Sequence, residues 1–165
     1  MQIQRILKHL FATPGQVKRA FPRTALDEIE QAIKASEAKH TGEIRFVVEG
    51  GLDGLPLFRD QSARERALDL FSQLRLWDTQ DNSGLLIYLL LADRAVEIVA
   101  DRGISAKVGA LEWSTICHDM EIAFAGSRYV LGVVGGVQAV TRHLVKHFPA
   151  DGRSGNELPD HPVLM

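Results

Sequence analysis

Apolar residues change their period several times along the chain, and each change marks an element. Ile3, Ile6, Leu7, Leu10 and Phe11 recur at helical spacing until Pro14-Gly15 interrupts them, which predicts a short N-terminal helix. Thr24, after Pro22, is the expected N-cap of a second helix striped by Leu26, Ile29, Ala32, Ile33 and Ala35 and stopped at Thr41-Gly42. EIRFVVE over residues 43–49 alternates and is β-branched, so it predicts a strand. Gly50-Gly51, Gly54 and Pro56 mark a loop. Ser62 and Glu65 have the spacing of a capping box, opening a helix along Ala63, Ala67, Leu70, Phe71, Leu74 and Trp77.

After the polar turn DTQDNSG (78–84), residues 85–92 are continuously apolar (LLIYLLLA). A bilayer span needs about 20 residues, so this run of eight predicts a strand buried on both faces. Asp93-Arg94 reverses the chain, AVEIVA (95–100) returns, and Asp101-Arg102-Gly103 closes the hairpin. Two helices follow. Ser105 is the expected cap of one, lined by Val108, Leu111, Ile116, Met120 and Phe124; Ser127 is the expected cap of the other, lined by Val130, Val134, Val137, Leu144 and Phe148. Residues 149–165 have no period and are expected to form a flexible tail.

The order is α-α-β-α-β-β-α-α. A crossover helix between the first two strands implies a right-handed parallel βαβ unit. The third strand returns antiparallel, giving an α/β fold: a small mixed sheet sandwiched by helices. The expected organisation is a basic amphipathic segment (1–21), one α/β domain (22–148) and the tail (149–165).

Composition narrows the picture little. A chain of 165 residues, 45% hydrophobic and 24% charged, is an ordinary globular chain with one core. A single cysteine, Cys117, excludes an internal disulfide and a four-cysteine zinc site. It is expected to be a small core residue. His143 and His147 stand four apart on the last helix without an HExxH context. Gly132, Gly135 and Gly136 inside that helix point to close backbone packing rather than a phosphate loop. The net charge of −2 demands no nucleic acid.

The distribution of charge says more. Residues 1–23 carry Arg5, Lys8, Lys18, Arg19 and Arg23 and no carboxylate, whereas the remainder holds 14 basic and 21 acidic residues. A basic amphipathic lead on an acidic body suits a protein partner or a membrane surface. Packing on its own domain, or on a second copy as a homodimer, is the alternative.

Strand direction then gathers candidate chemistry. Glu43 opens the first strand, Asp81 and Asn82 precede the second, and Asp101 and Arg102 end the third, so all five are expected at one end of the sheet. Two or three carboxylates with an Asn oxygen suit a hard cation or an acid/base pair, and Arg102 suits phosphate or carboxylate. Turn chemistry and surface pairing account for the same residues without a site.

The middle of the chain resembles the TPM domain family, named for thylakoid-lumen, photosystem-repair and acetylcholine-receptor modulator proteins. The likeness covers about residues 35–147. It rests on Thr41-Gly42-Glu43-Ile44, on Asp81-Asn82-Ser83-Gly84 before the apolar strand, on Asp93-Arg94, and on Asp101-Arg102-Gly103-Ile104. Two departures stand out: Asp101 replaces the first glycine of the usual Gly-x-Gly, and Ser83 adds a spacer before Gly84. The resemblance implies the fold derived above and a binding or assembly and repair role. The alternative is a weak metal-assisted, acid-phosphatase-like hydrolase. It implies divalent-cation binding, Ca²⁺ or Mg²⁺, with acidic and Asn positions at Asp81, Asn82, Asp93 and Asp101 beside Arg94 and Arg102. The metal set expected here is Glu43, Asp81, Asn82 and Asp101, and the catalytic set Asp81, Asp101 and Arg102. Without a leader or anchor in the sequence, the expected location is cytoplasmic, peripheral at the inner membrane if the lead binds there.

Overall fold

A computed structural model describes residues 3–152 and 155–165. Its centre is a four-stranded sheet in the order β3-β2-β1-β4, built from β1 (Glu43–Glu49), β2 (Gly84–Leu90), β3 (Ala95–Ala100) and β4 (Val163–Leu164). β1 runs parallel to β2 with Glu43 opposite Gly84, and β3 returns antiparallel with Leu85 opposite Ala100. This is the expected βαβ unit and hairpin.

The strands alternate between two cores. Ile44, Phe46, Val48, Leu85, Ile87 and Leu89 pack on helices α3 (Arg23–Glu37), α7 (Ala110–Ala125) and α8 (Tyr129–His147). Val47, Leu86, Tyr88 and Leu90 pack beneath α5 (Ala63–Gln73), which the Ser62–Glu65 capping box opens. Helix–helix approach in the larger layer depends on glycine. A Cβ on Gly132 would meet the Phe124 ring at 2.6 Å, and one on Gly136 would meet Met120 Sδ at 2.3 Å.

Several elements depart from the sequence pattern. Pro14 ends α1 (Ile3–Leu10) but also starts α2 (Pro14–Ala20) at its first position, where its missing N–H costs nothing. The glycine loop winds one short helix, α4 (Gly54–Phe58), and Asp101 caps another, α6 (Arg102–Ser105). Pro22, not Thr24, precedes α3; α7 starts at Ala110 rather than after Ser105; Ser127 adopts φ 58° and caps nothing. Leu111 and Trp77, expected on apolar faces, are exposed.

The tail departs most. Residues 155–165 do not trail away as expected: β4 pairs with the outer edge of β1, Val47 opposite Val163, and Met165 N–H reaches Val48 O. The other edge is sealed by side chains. Val96 N–H donates to Glu121 Oε1, while Arg64 and Ser105 donate to the carbonyls of Ile98 and Ala100. Cys117 packs against the core here, and burial pushes its thiol up to about 12, the property of an inert packing residue. The β3 edge thus has three of its backbone groups taken by side chains, and β1 is covered at Val47 and Val48 by the short β4.

Candidate functional site

Three places in the fold concentrate polar chemistry. The first is the end of the sheet where β1 and β2 begin and β3 finishes. Asp101 N–H donates to Gly84 O and Gly103 N–H to Asn82 O, so segments 81–84 and 101–103 lie side by side as strand direction predicts. Asn82 is left-handed at φ 51°, a conformation Asn tolerates. Its Oδ1 accepts from Arg102 Nε at 2.9 Å. Asp101 Oδ1 takes the Arg102 N–H at 2.7 Å, while Asp101 Oδ2 is buried and lacks a hydrogen-bond partner. Asp81 is exposed on the same turn.

Glu43 belongs elsewhere. It opens β1 at the same end, but its carboxylate faces the tail and accepts the N–H of Leu158 at 3.0 Å. With Glu37 and Asp160 it lines a small cavity of about 220 Å³. Glu37 Oε1 accepts the Ile44 N–H at 2.7 Å. Burial pushes the Glu37 carboxyl up to about 9, Glu43 and Asp160 add to the rise, and the protonated acid hydrogen-bonds Asp160. Glu43 is also raised, mainly by burial. Arg45 crosses from β1 to the carbonyls of Pro159 and His161. This carboxyl cluster was not legible in the sequence, because the tail that completes it has no periodic signal.

His40 lines the same cavity, buried at the start of a polar chain. Gly42 N–H can only donate, so His40 Nδ1 accepts and Nε2 carries the hydrogen toward Ser36 Oγ at 2.7 Å. Ser36 meets Thr141 Oγ1 at 2.6 Å, and Thr141 donates to Val137 O. Burial holds the imidazole down at about 4.

These two groups predict opposite pH dependences. Between its ordinary 4.5 and about 9, Glu37 keeps a proton in the folded chain that the unfolded chain has lost, so its contribution falls as pH rises through that window. Between about 4 and its ordinary 6.5, His40 is neutral when folded and charged when unfolded, so its contribution falls as pH drops. Urea unfolding from pH 4 to 9 is expected to show Glu37→Gln flattening the alkaline arm and His40→Gln the acid arm. An unchanged alkaline slope in Glu37→Gln would discard the assignment.

The metal expectation separates accordingly. Among the described residues, no group of three or more His, Cys, Asp or Glu side chains is placed to hold a metal. In donor chemistry, the Asp81 carboxylate and the unpartnered Asp101 Oδ2 are of the type a hard cation takes, but Asn82 Oδ1 is occupied by the Arg102 guanidinium and Glu43 is committed to the tail. Asp93, the fourth acidic position implied by the resemblance, lies at the opposite end of the sheet. There Arg5 Nε donates to it at 3.0 Å and His9 Nε2 lies 3.1 Å away, too oblique for a hydrogen bond.

That opposite end is the third place. α1 packs with its polar side inward: His9 Nδ1 accepts the Leu52 N–H at 2.8 Å, and Arg5 bridges Asp93, Asp60 and Gln61 O. Ile6 packs against the smaller core, but the rest of the apolar stripe points outward, with Ile3, Leu7, Leu10 and Phe11 each between 48% and 76% exposed. An open cleft of about 1300 Å³ runs between α1 and the start of α8, lined by Leu7, Phe11, Tyr129, Lys8, Arg19 and Arg94 among others. No described helix is long and apolar enough to cross a membrane.

Comparison with known proteins fits this architecture. The NMR structure of the BA42 protein from the psychrophilic bacterium Bizionia argentinensis superposes with a TM-score of 0.74 at 27% identity, covering 86% of this chain and 93% of that one. The solution structure of the N-terminal domain of a P. gingivalis protein gives 0.60 at 24% identity, over 78% of this chain and 81% of that one, a likeness of fold alone. A search of curated proteins returns no match. The family model of the TPM domain matches residues 18–143, most of the chain, and the chain belongs to the TPM domain family.

Proposed function

We propose that this chain is a binding module of its family, of the assembly or repair type, whose docking face is the basic amphipathic segment 1–21 with the cleft beside it. The observation that carries this reading is the orientation of α1. A short helix that merely completed the core would bury Leu7, Leu10 and Phe11. Here Arg5, His9 and Ile6 face the body, and Leu7, Leu10 and Phe11 are left outward. A photo-cross-linking residue at Leu10 tests this. In cells producing the protein it is expected to capture a lipid or protein neighbour, while the same residue at exposed Gln73 on α5 does not. Equal labelling at both positions would remove the docking face. The reading places the protein in the cytoplasm, peripheral at the inner membrane if the face engages lipid.

A second reading is favoured by one observation, the buried and unpartnered Asp101 Oδ2. It supports a divalent-cation site, Ca²⁺ or Mg²⁺, at Asp81, Asn82 and Asp101. When bound, the ion would supply charge for binding an anion such as a phosphoester, with Arg102 beside it; this is the phosphatase-like alternative. Calcium titration is then expected to shift amide resonances only at 81–84 and 101–103, and Asp101→Asn to abolish the shifts. No shift at millimolar calcium would discard it.

A further inference from the structure

We infer that the docking face binds an anionic lipid surface, with α1 lying in the plane of the interface. The inference rests on the docking reading and names its occupant. Charge selects an anionic surface. Lys8, Arg19 and Arg94 are exposed along the cleft beside the outward stripe and Lys18 is exposed on α2, while Arg5 offsets one of the two neighbouring carboxylates, Asp60 and Asp93. The field this end offers a partner is therefore positive on an otherwise acidic chain.

The distribution of apolar groups selects lipid over a folded protein. Leu55 and Phe58 of α4 are exposed like Leu10 and Phe11, and residues on either side of α4, Leu52 and Asp60, are bonded to His9 and Arg5 of α1. Six large apolar side chains are thus exposed on two neighbouring short helices, Leu7 and Phe11 of them along the open cleft. A fluid interface accepts separate apolar tips at the headgroup boundary, and anionic headgroups meet the long Lys and Arg side chains beside them. α1, with eight residues, is far too short to span. It lies on the surface.

Sedimentation of the full chain with phosphatidylcholine vesicles, with and without phosphatidylglycerol, tests the inference. Binding is expected only with the anionic lipid and is expected to fade in high salt, which shortens the screening length. Lys8→Ala and Arg19→Ala each weaken binding about fivefold, so about twenty-five-fold together. Leu7→Ser/Leu10→Ser/Phe11→Ser abolishes it, with an unchanged thermal midpoint showing that the fold survives. Failure to bind phosphatidylglycerol vesicles, or binding that survives both sets of changes, overturns the inference. A protein adduct at Leu10 with vesicles unbound overturns the lipid inference and leaves the docking face standing. A dimer in sedimentation velocity that Leu10→Ser dissociates assigns the face to a second copy and also overturns it. No adduct and no vesicle binding remove both readings together.

Discussion

Gly84→Ala is expected to destabilise the domain by about 3 kcal/mol or more, through a clash that neither side can relieve. A Cβ at this position would lie 1.9 Å from the carbonyl oxygen of Leu76 and 2.9 Å from its carbonyl carbon. Both partners are backbone. Gly84 cannot retreat, because it is the first residue of the central strand, opposite Glu43 on one side and accepting the Asp101 N–H on the other. Leu76 cannot retreat either, since its own side chain is fully buried under the sheet. For a chain of this length, thermal unfolding should fall by about 10 °C. Gly135→Ala is the control: a Cβ there meets open space inside α8, and the exchange should add up to about 1 kcal/mol. Equal midpoints for the two variants would show that the approach of residue 76 to residue 84 is not what demands glycine.

The same steric logic explains why part of the site was legible in the sequence. Gly103 stands against the carbonyls of Asp81 and Asn82, where a Cβ would come within 2.6 Å of each. The pattern of a polar turn, a glycine, an apolar strand, an alternating strand and a second glycine therefore encodes two close backbone approaches. Those approaches fix the neighbourhood of Asn82, Asp101 and Arg102. Strand identity, register and the hairpin were legible for a related reason. Residues 85–92 are apolar without a break and residues 43–49 alternate, and only one arrangement buries both.

What the sequence concealed has equally physical causes. α1 has a clear apolar stripe, but a stripe says which side is greasy and not which side faces the body. The two polar anchors that decide it, Arg5 to Asp93 and His9 to Leu52, span 88 and 43 residues of chain. Glu43 stands at the sheet end that strand direction predicts, but its carboxylate turns to the tail, whose Leu158 N–H no side-chain pattern reveals. The tail itself reads as disordered, since β4 pairs only two residues and the segment before it is held mostly by Arg45, Glu43 and Glu30 reaching across from other elements. Helix starts slipped wherever the nominal cap is displaced by geometry, as at Ser127, whose backbone is left-handed.

Glu49→Ala should cost about 3–5 kcal/mol, the range expected when one partner of a buried ion pair is removed. Glu49 ends β1 beneath α5, where Arg66 Nε and Nη2 donate to its two oxygens at 2.8 Å each and Tyr88 donates its hydroxyl at 2.7 Å. The planar guanidinium matches the carboxylate fork, so all three groups are satisfied inside an apolar layer of Val47, Leu86 and Leu90. Deleting Glu49 leaves the buried Tyr88 phenol without its acceptor and the part-buried Arg66 guanidinium without its carboxylate. Deleting Tyr88 alone, as Tyr88→Phe, removes one bond to a charged group and should cost less, about 1.5–3 kcal/mol. Burial and the adjoining carboxylate push the Tyr88 hydroxyl upward, so it stays a donor across the working pH range. Replacing the trio together, with Glu49→Leu, Arg66→Met and Tyr88→Phe, removes every polar group at once and should recover most of the loss. Urea unfolding of the two single variants and the triple variant compares these costs. A triple variant no more stable than Glu49→Ala would mean that the trio contributes shape rather than charge, and that α5 is held on the sheet by packing alone.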